Sequence, residues 1–198
     1  MRPLYIVAGI LAVGAASWAG AQTAPAPASP PAFDLNSKLI NTPDSNWNVY
    51  GPGQTTKLLP KDGPKGYPAY EVTVTKVGKN PWDAGAVSVV PKPVHAGDVI
   101  LVAAYLRAPQ LADGATEELP LMGATGASPP YVAVAGAPAK LSNQWKVFFA
   151  TGTAPQDFPA NGMQATVHLA SAKHVIELGP VKVYDFGPGF DINRLPHN

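Results

Sequence analysis

The stretch GDVILVAAYLRA, residues 97–108, decides the fold because two kinds of residue alternate along it with a period of two. One set is uniformly apolar and consists of Ile100, Val102, Ala104 and Leu106. The other set contains Tyr105 and Arg107, and an arginine cannot be buried in an apolar core without a partner. The alternation therefore predicts a strand with one face in the core and the other toward solvent or a polar groove.

Shorter alternating segments recur along the chain between glycine, proline and aspartate turn signals, including predicted turns at residues 136–138 and 179–180. In residues 70–77, Val72 and Val74 are predicted to face the core and Glu71 to face out. Strands of this kind are predicted at residues 47–50, 70–77, 86–90, 97–108, 130–135, 145–151, 165–170, 174–178 and 181–186, and the apolar residues 119–122 allow one more. No segment has a helical period, so the sequence predicts an all-β fold, an antiparallel β-sandwich.

Two later segments supply outward-facing side chains. In WKVFFAT (residues 145–151), the predicted core set is Trp145, Val147 and Phe149, and the outward set is Lys146 and Phe148. The adjacent pair Phe148 and Phe149 leaves burial on both faces open. In ATVHLA (residues 165–170), Val167 faces inward and His168 faces outward.

The composition suits one domain of short strands. Of 198 residues, 46% are hydrophobic, and 23 prolines and 19 glycines punctuate the chain. There is no cysteine, so the fold has no disulfide. Loss of residues 1–21 would remove Arg2 and leave 14 − 1 = 13 basic against 13 acidic residues. With no cluster of lysine or arginine, we expect no nucleic-acid partner.

The N-terminal residues have the three parts of a secretory signal peptide (residues 1–21): a positive Arg2, the apolar residues 4–16, and a small-residue cleavage site ending at Ala21. The apolar run is too short for a membrane span. We therefore expect export, to the periplasm or outside the cell, after cleavage near Ala21. Residues 22–32 (QTAPAPASPPA) predict a Pro/Ala-rich linker, residues 33–192 the β-sandwich domain, and residues 193–198 a C-terminal tail.

Four local motifs follow one another in the domain. They are NPWD at residues 80–83, the strand ending YLRA at residues 105–108, LSNQWK at residues 141–146, and the closing VIELGPVKV at residues 175–183. In this order they resemble the carbohydrate-binding modules of families 4, 9 and 22, which have a galactose-binding-like jelly-roll fold. The resemblance covers most of the chain, from about residue 47 to residue 186.

The resemblance implies a ligand cleft across a concave sheet, where aromatic rings pack on sugar faces and polar side chains bond hydroxyl groups. By position, it places Tyr105 and Arg107 on the cleft strand and Trp82 on the loop at the rim. It implies no cofactor other than a structural calcium ion. Gly179 and Pro180 stand where family members often have two acidic residues, which leaves calcium binding open.

The residue pattern leads to the same chemistry independently. Pyranose C–H faces are apolar enough to lie on an aromatic ring, while the hydroxyl groups need donors and acceptors. The outward sets of the predicted strands contain such rings and polar groups, although Trp82 fits equally as a cap on the core. The candidate ligand-binding residues are Trp82, Tyr105, Arg107, Phe148 and His168. The expected partner is a polysaccharide or oligosaccharide, bound without catalysis, with a separate carbohydrate-active enzyme as a further partner.

Two other functions remain open at this point. A structural or protein-interaction module of the cell envelope would keep the sandwich with a shallow or filled cleft. A jelly-roll polysaccharide lyase or glycosidase is less well supported, because a glycosidase needs two facing carboxyl groups and no acid pair lies on matched strand faces. His168 and His174 have no neighbouring carboxylate pattern and do not predict a metal site.

Overall fold

The computed structural model describes residues 34–198, which form one compact unit. The predicted signal peptide and linker, together with Phe33, lie outside the described residues. The strands of the described part are β1 (Asn48–Tyr50), β2 (Gln54–Leu59), β3 (Ala69–Val74), β4 (Gly85–Val90), β5 (Asp98–Arg107), β6 (Glu117–Gly126), β7 (Ala133–Leu141), β8 (Lys146–Thr153), β9 (Met163–His168) and β10 (His174–Pro188). Short 3-10 turns lie at Leu35–Lys38, Pro64–Gly66, Pro81–Asp83 and Ile192–Arg194. Within residues 34–198, no helix is long and apolar enough to cross a membrane.

The strands form two five-stranded antiparallel sheets. The front sheet has the order β1-β4-β9-β6-β7, and the back sheet has the order β2-β3-β10-β5-β8. Their inner faces share one hydrophobic core, to which the front sheet contributes Met122 and Val167 and the back sheet Ile100 and Leu106, all fully buried. The predicted all-β antiparallel sandwich is therefore confirmed.

More of the outer face of the back sheet is buried than the sequence predicts. The inward set of β5 is buried as expected, but Val99, Leu101 and Ala103 on the outer face are buried too. They belong to a second hydrophobic cluster, closed by Tyr184, Phe186 and Leu195. Only the end of β5 that carries Tyr105 and Arg107 is partly exposed on this face.

Residues 193–198, predicted as a tail, pack against the strands. Leu195 is only 6% exposed. The side chain of Asn198 accepts a hydrogen bond from the backbone N–H of Phe149 (2.7 Å) and donates one to the carbonyl oxygen of Pro138 (2.8 Å). The second cluster is thus built from strands and the C-terminal segment together.

The predicted faces of β8 are reversed in the structure. Phe148 is 6% exposed and packs in the core, whereas Trp145, Val147 and Phe149 lie half-buried on the outer face. The prediction that Trp145 lies in the core is therefore wrong, as is the outward assignment of Phe148. From Val147 to Ala150 both sets of β8 are apolar because both faces are covered there, so alternation could not distinguish them.

Two predicted turns are strand interior. Residues 179–180 lie inside β10, where the register shifts between Leu178 and Val181 as in a β-bulge. A Cβ on Gly179 would lie 3.1 Å from the Cβ of Tyr105 and 3.2 Å from the ring of Trp145, so close packing explains this glycine. Residues 136–138 lie in β7, an edge strand whose register shifts beside Pro138. Proline is tolerated at such edge and bulge positions.

Strand β2 is absent from the predicted set. Its sequence, QTTKLL, does not alternate, and four of its six residues are exposed. Pairing with β3, from Gln54 opposite Val74 to Leu59 opposite Ala69, holds it in place. The four edge strands of the sandwich are β1 and β7 in the front sheet and β2 and β8 in the back sheet.

Candidate functional site

A cleft of about 660 Å³, here called the front cleft, lies on the outer face of the front sheet. Outward side chains of β1, β4, β9 and β6 form its floor, and the loops before β4 and after β6 form its walls. Its lining residues are Asn48, Tyr50, Trp82, Val87, Thr125, Ala127, Pro130, Tyr131, Gln164 and His168. The cleft has the size and mixed polar and aromatic lining that are typical of small-ligand sites.

The strand register sets the floor of the front cleft. Tyr50 pairs with Gly85, which in turn pairs with His168. A Cβ on Gly85 would come within 2.7 Å of the Tyr50 hydroxyl, so the missing side chain makes room for this ring above the sheet. Further along β9, Gln164 pairs with Thr125. Because Gln164 and His168 are four residues apart on one strand, both project into the cleft.

Trp82 forms the rim of the front cleft on a tightly bonded turn. The Asp83 carboxylate accepts hydrogen bonds from the backbone N–H groups of Asn80 (3.0 Å) and Lys79 (2.7 Å). These bonds, that from Asn80 first, lower the pKa of Asp83. The Trp82 side chain is 55% exposed, and its ring meets the His168 ring edge-on at 6.0 Å between centroids. Two of the predicted ligand-binding residues, Trp82 and His168, therefore lie together.

Tyr131 forms the opposite wall. It is 54% exposed and has a left-handed backbone with φ 52°. Its backbone N–H donates to the carbonyl oxygen of Ser128 (2.8 Å), which closes the loop. A bulky residue in this conformation is uncommon, and such strain concentrates at functional sites.

The front cleft is polar but uncharged. Burial, and secondarily the nearby Tyr131, raises the pKa of Tyr50 above its usual value of 10.0, so this phenol stays protonated at neutral pH. Burial lowers the pKa of His168 below 6.5, so this imidazole is neutral there. The lining contains no lysine, arginine, aspartate or glutamate. Its polar groups are therefore amides, hydroxyls and a neutral imidazole.

The other three predicted residues are elsewhere. Phe148 is in the core and cannot reach a ligand, because the face of β8 that carries it turns inward and not outward as predicted. Tyr105 and Arg107 lie on the outer face of the back sheet, away from Trp82 and His168. The structure does not bring the five residues into one site, because the strand that carries Tyr105 belongs to the sheet opposite the front cleft.

Arg107 is engaged in a structural cluster. Its Nε donates to the Glu177 carboxylate at 2.6 Å, and its guanidinium stacks on the Trp145 ring at 4.8 Å from the centroid. The Glu177 side chain is only 5% exposed, so it depends on this arginine to offset the loss of water. The indole N–H of Trp145 donates to the carbonyl oxygen of Asp62 (3.2 Å).

The residues at the bulge of β10 do not fit a calcium ion. The carbonyl oxygen of Gly179 already accepts a hydrogen bond from the indole N–H of Trp47 at 2.8 Å, and Pro180 is buried without a charged side chain. Across residues 34–198, no three histidine, aspartate or glutamate side chains converge as a metal site would require.

Sequence reasoning missed Asn48, Tyr50, Tyr131 and Gln164. Gln164 carries a usable signal, since it lies four residues before His168 and therefore shares its face in an extended β9. Tyr50 likewise follows Asn48 at a spacing of two. Tyr131 carries no local signal, because a loop joins it to the cleft and only the three-dimensional fold brings that loop to β1.

Solved structures with a similar fold include carbohydrate-binding modules. The second N-terminal cellulose-binding domain of Cellulomonas fimi β-1,4-glucanase C matches with a TM-score of 0.56 and 20% identity, over 77% of this chain and 98% of that one. The CBM22-1 xylan-binding domain of Paenibacillus barcinonensis Xyn10C matches with a TM-score of 0.53 and 12% identity, over 76% and 96%.

A third match is to the CBM22-1–GH10 modules of Clostridium thermocellum endo-1,4-β-D-xylanase 10B complexed with xylohexaose. It has a TM-score of 0.55 and 14% identity over 76% of this chain, and it spans 29% of that chain. No protein-family model and no curated protein matches the sequence. The fold is therefore that of the family 4 and family 22 carbohydrate-binding modules, as the motif order led us to expect.

Proposed function

We propose that the protein binds a neutral polysaccharide or oligosaccharide in the front cleft and does no chemistry on it. The main support is that the front cleft combines two exposed aromatic walls, Trp82 and Tyr131, with an uncharged polar floor. Sugar rings have apolar C–H faces that pack on aromatic side chains and hydroxyl edges that need hydrogen bonds.

The floor offers donors and acceptors of the right kind. Asn48 and Gln164 each carry an amide with both functions, and neutral His168 donates from one ring nitrogen and accepts at the other. An anionic ligand would find no cation in this cleft. The absence of a carboxylate among its described lining residues also removes the acid pair that glycoside hydrolysis needs.

The names of the similar structures suggest which sugars to test first. They are a cellulose-binding domain, a xylan-binding domain and a module complexed with xylohexaose. We therefore propose β-1,4-linked glucan or xylan chains as the first candidates. We further propose that the protein acts after export, with residues 1–21 removed, and beside a separate carbohydrate-active enzyme.

The test is calorimetric titration of the full-length chain with xylohexaose and cellohexaose. Trp82→Ala and Tyr131→Asn should each weaken binding about tenfold, equivalent to about 1.4 kcal/mol. Asparagine is chosen at position 131 because it tolerates a left-handed backbone. The matched control is Leu58→Ala, which removes a similarly exposed apolar side chain (51%) from β2, outside the front cleft, and should leave binding unchanged.

Saturable binding that only the front-cleft variants lose would support the proposal. If folded wild-type protein binds neither these hexasaccharides nor insoluble xylan or cellulose, the proposal is wrong and the cell-envelope interaction module becomes the better reading. Binding that survives both substitutions would move the site away from the front cleft.

A further inference from the structure

We propose a second ligand site, on the outer face of the back sheet, that binds the carboxylate of an acidic sugar residue. This goes beyond the function of the front cleft. The site, here called the back pocket, is a depression of about 300 Å³. It is lined by Lys65, Lys182, Tyr67 and Tyr105, with three prolines.

The back pocket is cationic where the front cleft is neutral. Lys65 is exposed and Lys182 half-buried. Within residues 34–198, neither ammonium group takes part in a hydrogen bond or ion pair, and the pocket lining has no carboxylate. Two unpaired ammonium groups around one depression favour an anion, because hydrogen bonds between charged partners are the stronger kind.

The loop that carries Lys65 holds it in an uncommon conformation. Lys65 has φ 56° and ψ 24°, and Gly66 follows with φ 78°. Hydrogen bonds from Gly63 N–H to the Tyr67 carbonyl oxygen (2.9 Å) and from Tyr67 N–H to the Pro64 carbonyl oxygen (3.2 Å) fix this turn. A left-handed lysine costs about 1 kcal/mol that glycine would avoid. The lysine charge therefore lies at a strained backbone position, and such positions are common at ligand sites.

The pocket also offers an apolar surface beside the charges. Tyr67 is 54% exposed, and Tyr105 lies on β5 two residues from Ala103, which pairs with Lys182. The three prolines add apolar surface and have no side-chain hydrogen-bond donor, so the lysines provide the charged donors of the pocket. A pyranose ring could lie on these surfaces with its C–H face while its carboxylate meets the lysines. This combination selects a uronic acid rather than a bare anion.

Arg107 does not belong to this site. It is bonded to the buried Glu177 and stacked on Trp145, so its charge is already compensated. The charge of the back pocket thus depends on Lys65 and Lys182, which lets substitution of either lysine test the proposal without disturbing the Arg107 cluster.

The experiment is titration of the full-length chain with tetragalacturonic acid and with its fully methyl-esterified form, at low salt. The acid should bind and the ester, which keeps the rings but loses the charges, should bind at least about tenfold more weakly. Lys182→Gln and Lys65→Asn should each lower affinity for the acid about fivefold, and added salt should do the same.

Two controls separate this site from its alternatives. Lys140→Gln makes the same charge change on β7, outside both depressions, and should leave binding unchanged. Trp82→Ala should spare galacturonate binding while it weakens xylohexaose binding, so failure of either proposal is seen separately.

Equal binding of acid and ester would overturn the proposal. So would no binding, or an equal loss with Lys140→Gln, which would indicate general charge attraction. Tighter, lysine-dependent binding of a polyglutamate peptide would also contradict it and assign the back pocket to an acidic protein segment.

Discussion

Three described residues other than glycine have a left-handed backbone: Lys65, Tyr131 and Asn161. Asparagine adopts this conformation at little cost, whereas lysine and tyrosine do so rarely. Tyr131 lines the front cleft and Lys65 lines the back pocket. The local strain therefore coincides with the two depressions for which we propose ligands, which is the pattern expected where side-chain placement matters more than backbone preference.

His168 should make binding in the front cleft pH-dependent. Its pKa is below 6.5 because burial disfavours the imidazolium, and a bound sugar would bury it further. Binding is thus linked to the neutral ring, so affinity should be constant near neutral pH and fall as the pH drops through the His168 pKa. Titrations with xylohexaose between about pH 5 and pH 8 check this, because a histidine side chain changes its charge over about this range. His168→Gln should give a flat profile; the same decline in that variant would assign the effect to another group.

Asp185 should limit stability at neutral pH. Its pKa is raised, first by burial and then by the carboxyl group of Asp98, while a hydrogen bond from Gly187 N–H opposes the shift. A carboxyl pKa that is higher in the folded state means that stability is lost as pH rises through that pKa. Asp185→Asn keeps an acceptor for Gly187 and should raise the free energy of unfolding at pH 7 by up to about 1 kcal/mol, since the group is partly exposed.

The same variant provides its own control in urea denaturation at several pH values. Its gain in the free energy of unfolding over the wild type should shrink toward zero as the pH falls. At low pH the Asp185 carboxyl group is protonated in both the folded and the unfolded protein. An advantage that stays constant with pH would show that packing, and not titration, is responsible.

Among the elements, β5 and β10 share the longest interaction of the back sheet, and the Arg107–Glu177 ion pair lies near its end. Arg107→Gln should lower the free energy of unfolding by about 3 kcal/mol, because it leaves a buried carboxylate without its partner. The double variant Arg107→Leu, Glu177→Leu should recover most of this loss, since an apolar pair needs no compensation. Denaturant unfolding measures both. Xylohexaose affinity should not change, and a stable Arg107→Gln protein with lost affinity would contradict the structural role.

The elements also show what alternation can and cannot predict. Strands β3 and β9 were predicted because one of their faces is apolar and the other is not. Strand β5 was predicted because Tyr105 and Arg107 stand at the end of an outer face that is otherwise apolar and buried. β8 was assigned the wrong face because both faces are covered, and β2 was missed because its exposed residues carry no periodic signal. Residues 179–180 looked like a turn, yet a bulge absorbs them into β10, which depends on contacts with Trp47 and Tyr105 that are distant in sequence.

At the scale of the whole molecule, the C-terminal segment covers the outer face of the back sheet and completes the second hydrophobic cluster. Deletion of residues 190–198 would uncover the second cluster and remove Leu195, with Phe190 and Ile192 beside it. We expect the free energy of unfolding to fall by about 3 kcal/mol from lost apolar burial. Leu195→Ala alone should cost about 2 kcal/mol. Thermal unfolding of both variants checks this, and an unchanged melting temperature on deletion would show that the segment does not stabilise the sandwich.

The whole fold also explains why the candidate site was only partly predicted. Trp82 and His168 were named from a turn motif and an alternating strand, which are local features. Grouping them with Tyr105 required knowing which sheet each strand joins, and strand order does not follow from alternation. Tyr50 and Tyr131 come from a three-residue strand and a loop that meet only after the front sheet has assembled.

Three of the four edge strands have features that affect how the protein behaves when crowded. β1 has only three residues, β7 contains Pro138, and β2 presents exposed Thr55, Thr56 and Lys57. Short strands, prolines and charged side chains at sheet edges discourage pairing between molecules, which is how native β-proteins avoid aggregation. Copies concentrated along one surface should therefore remain separate, with the front cleft and the back pocket of each sandwich still accessible.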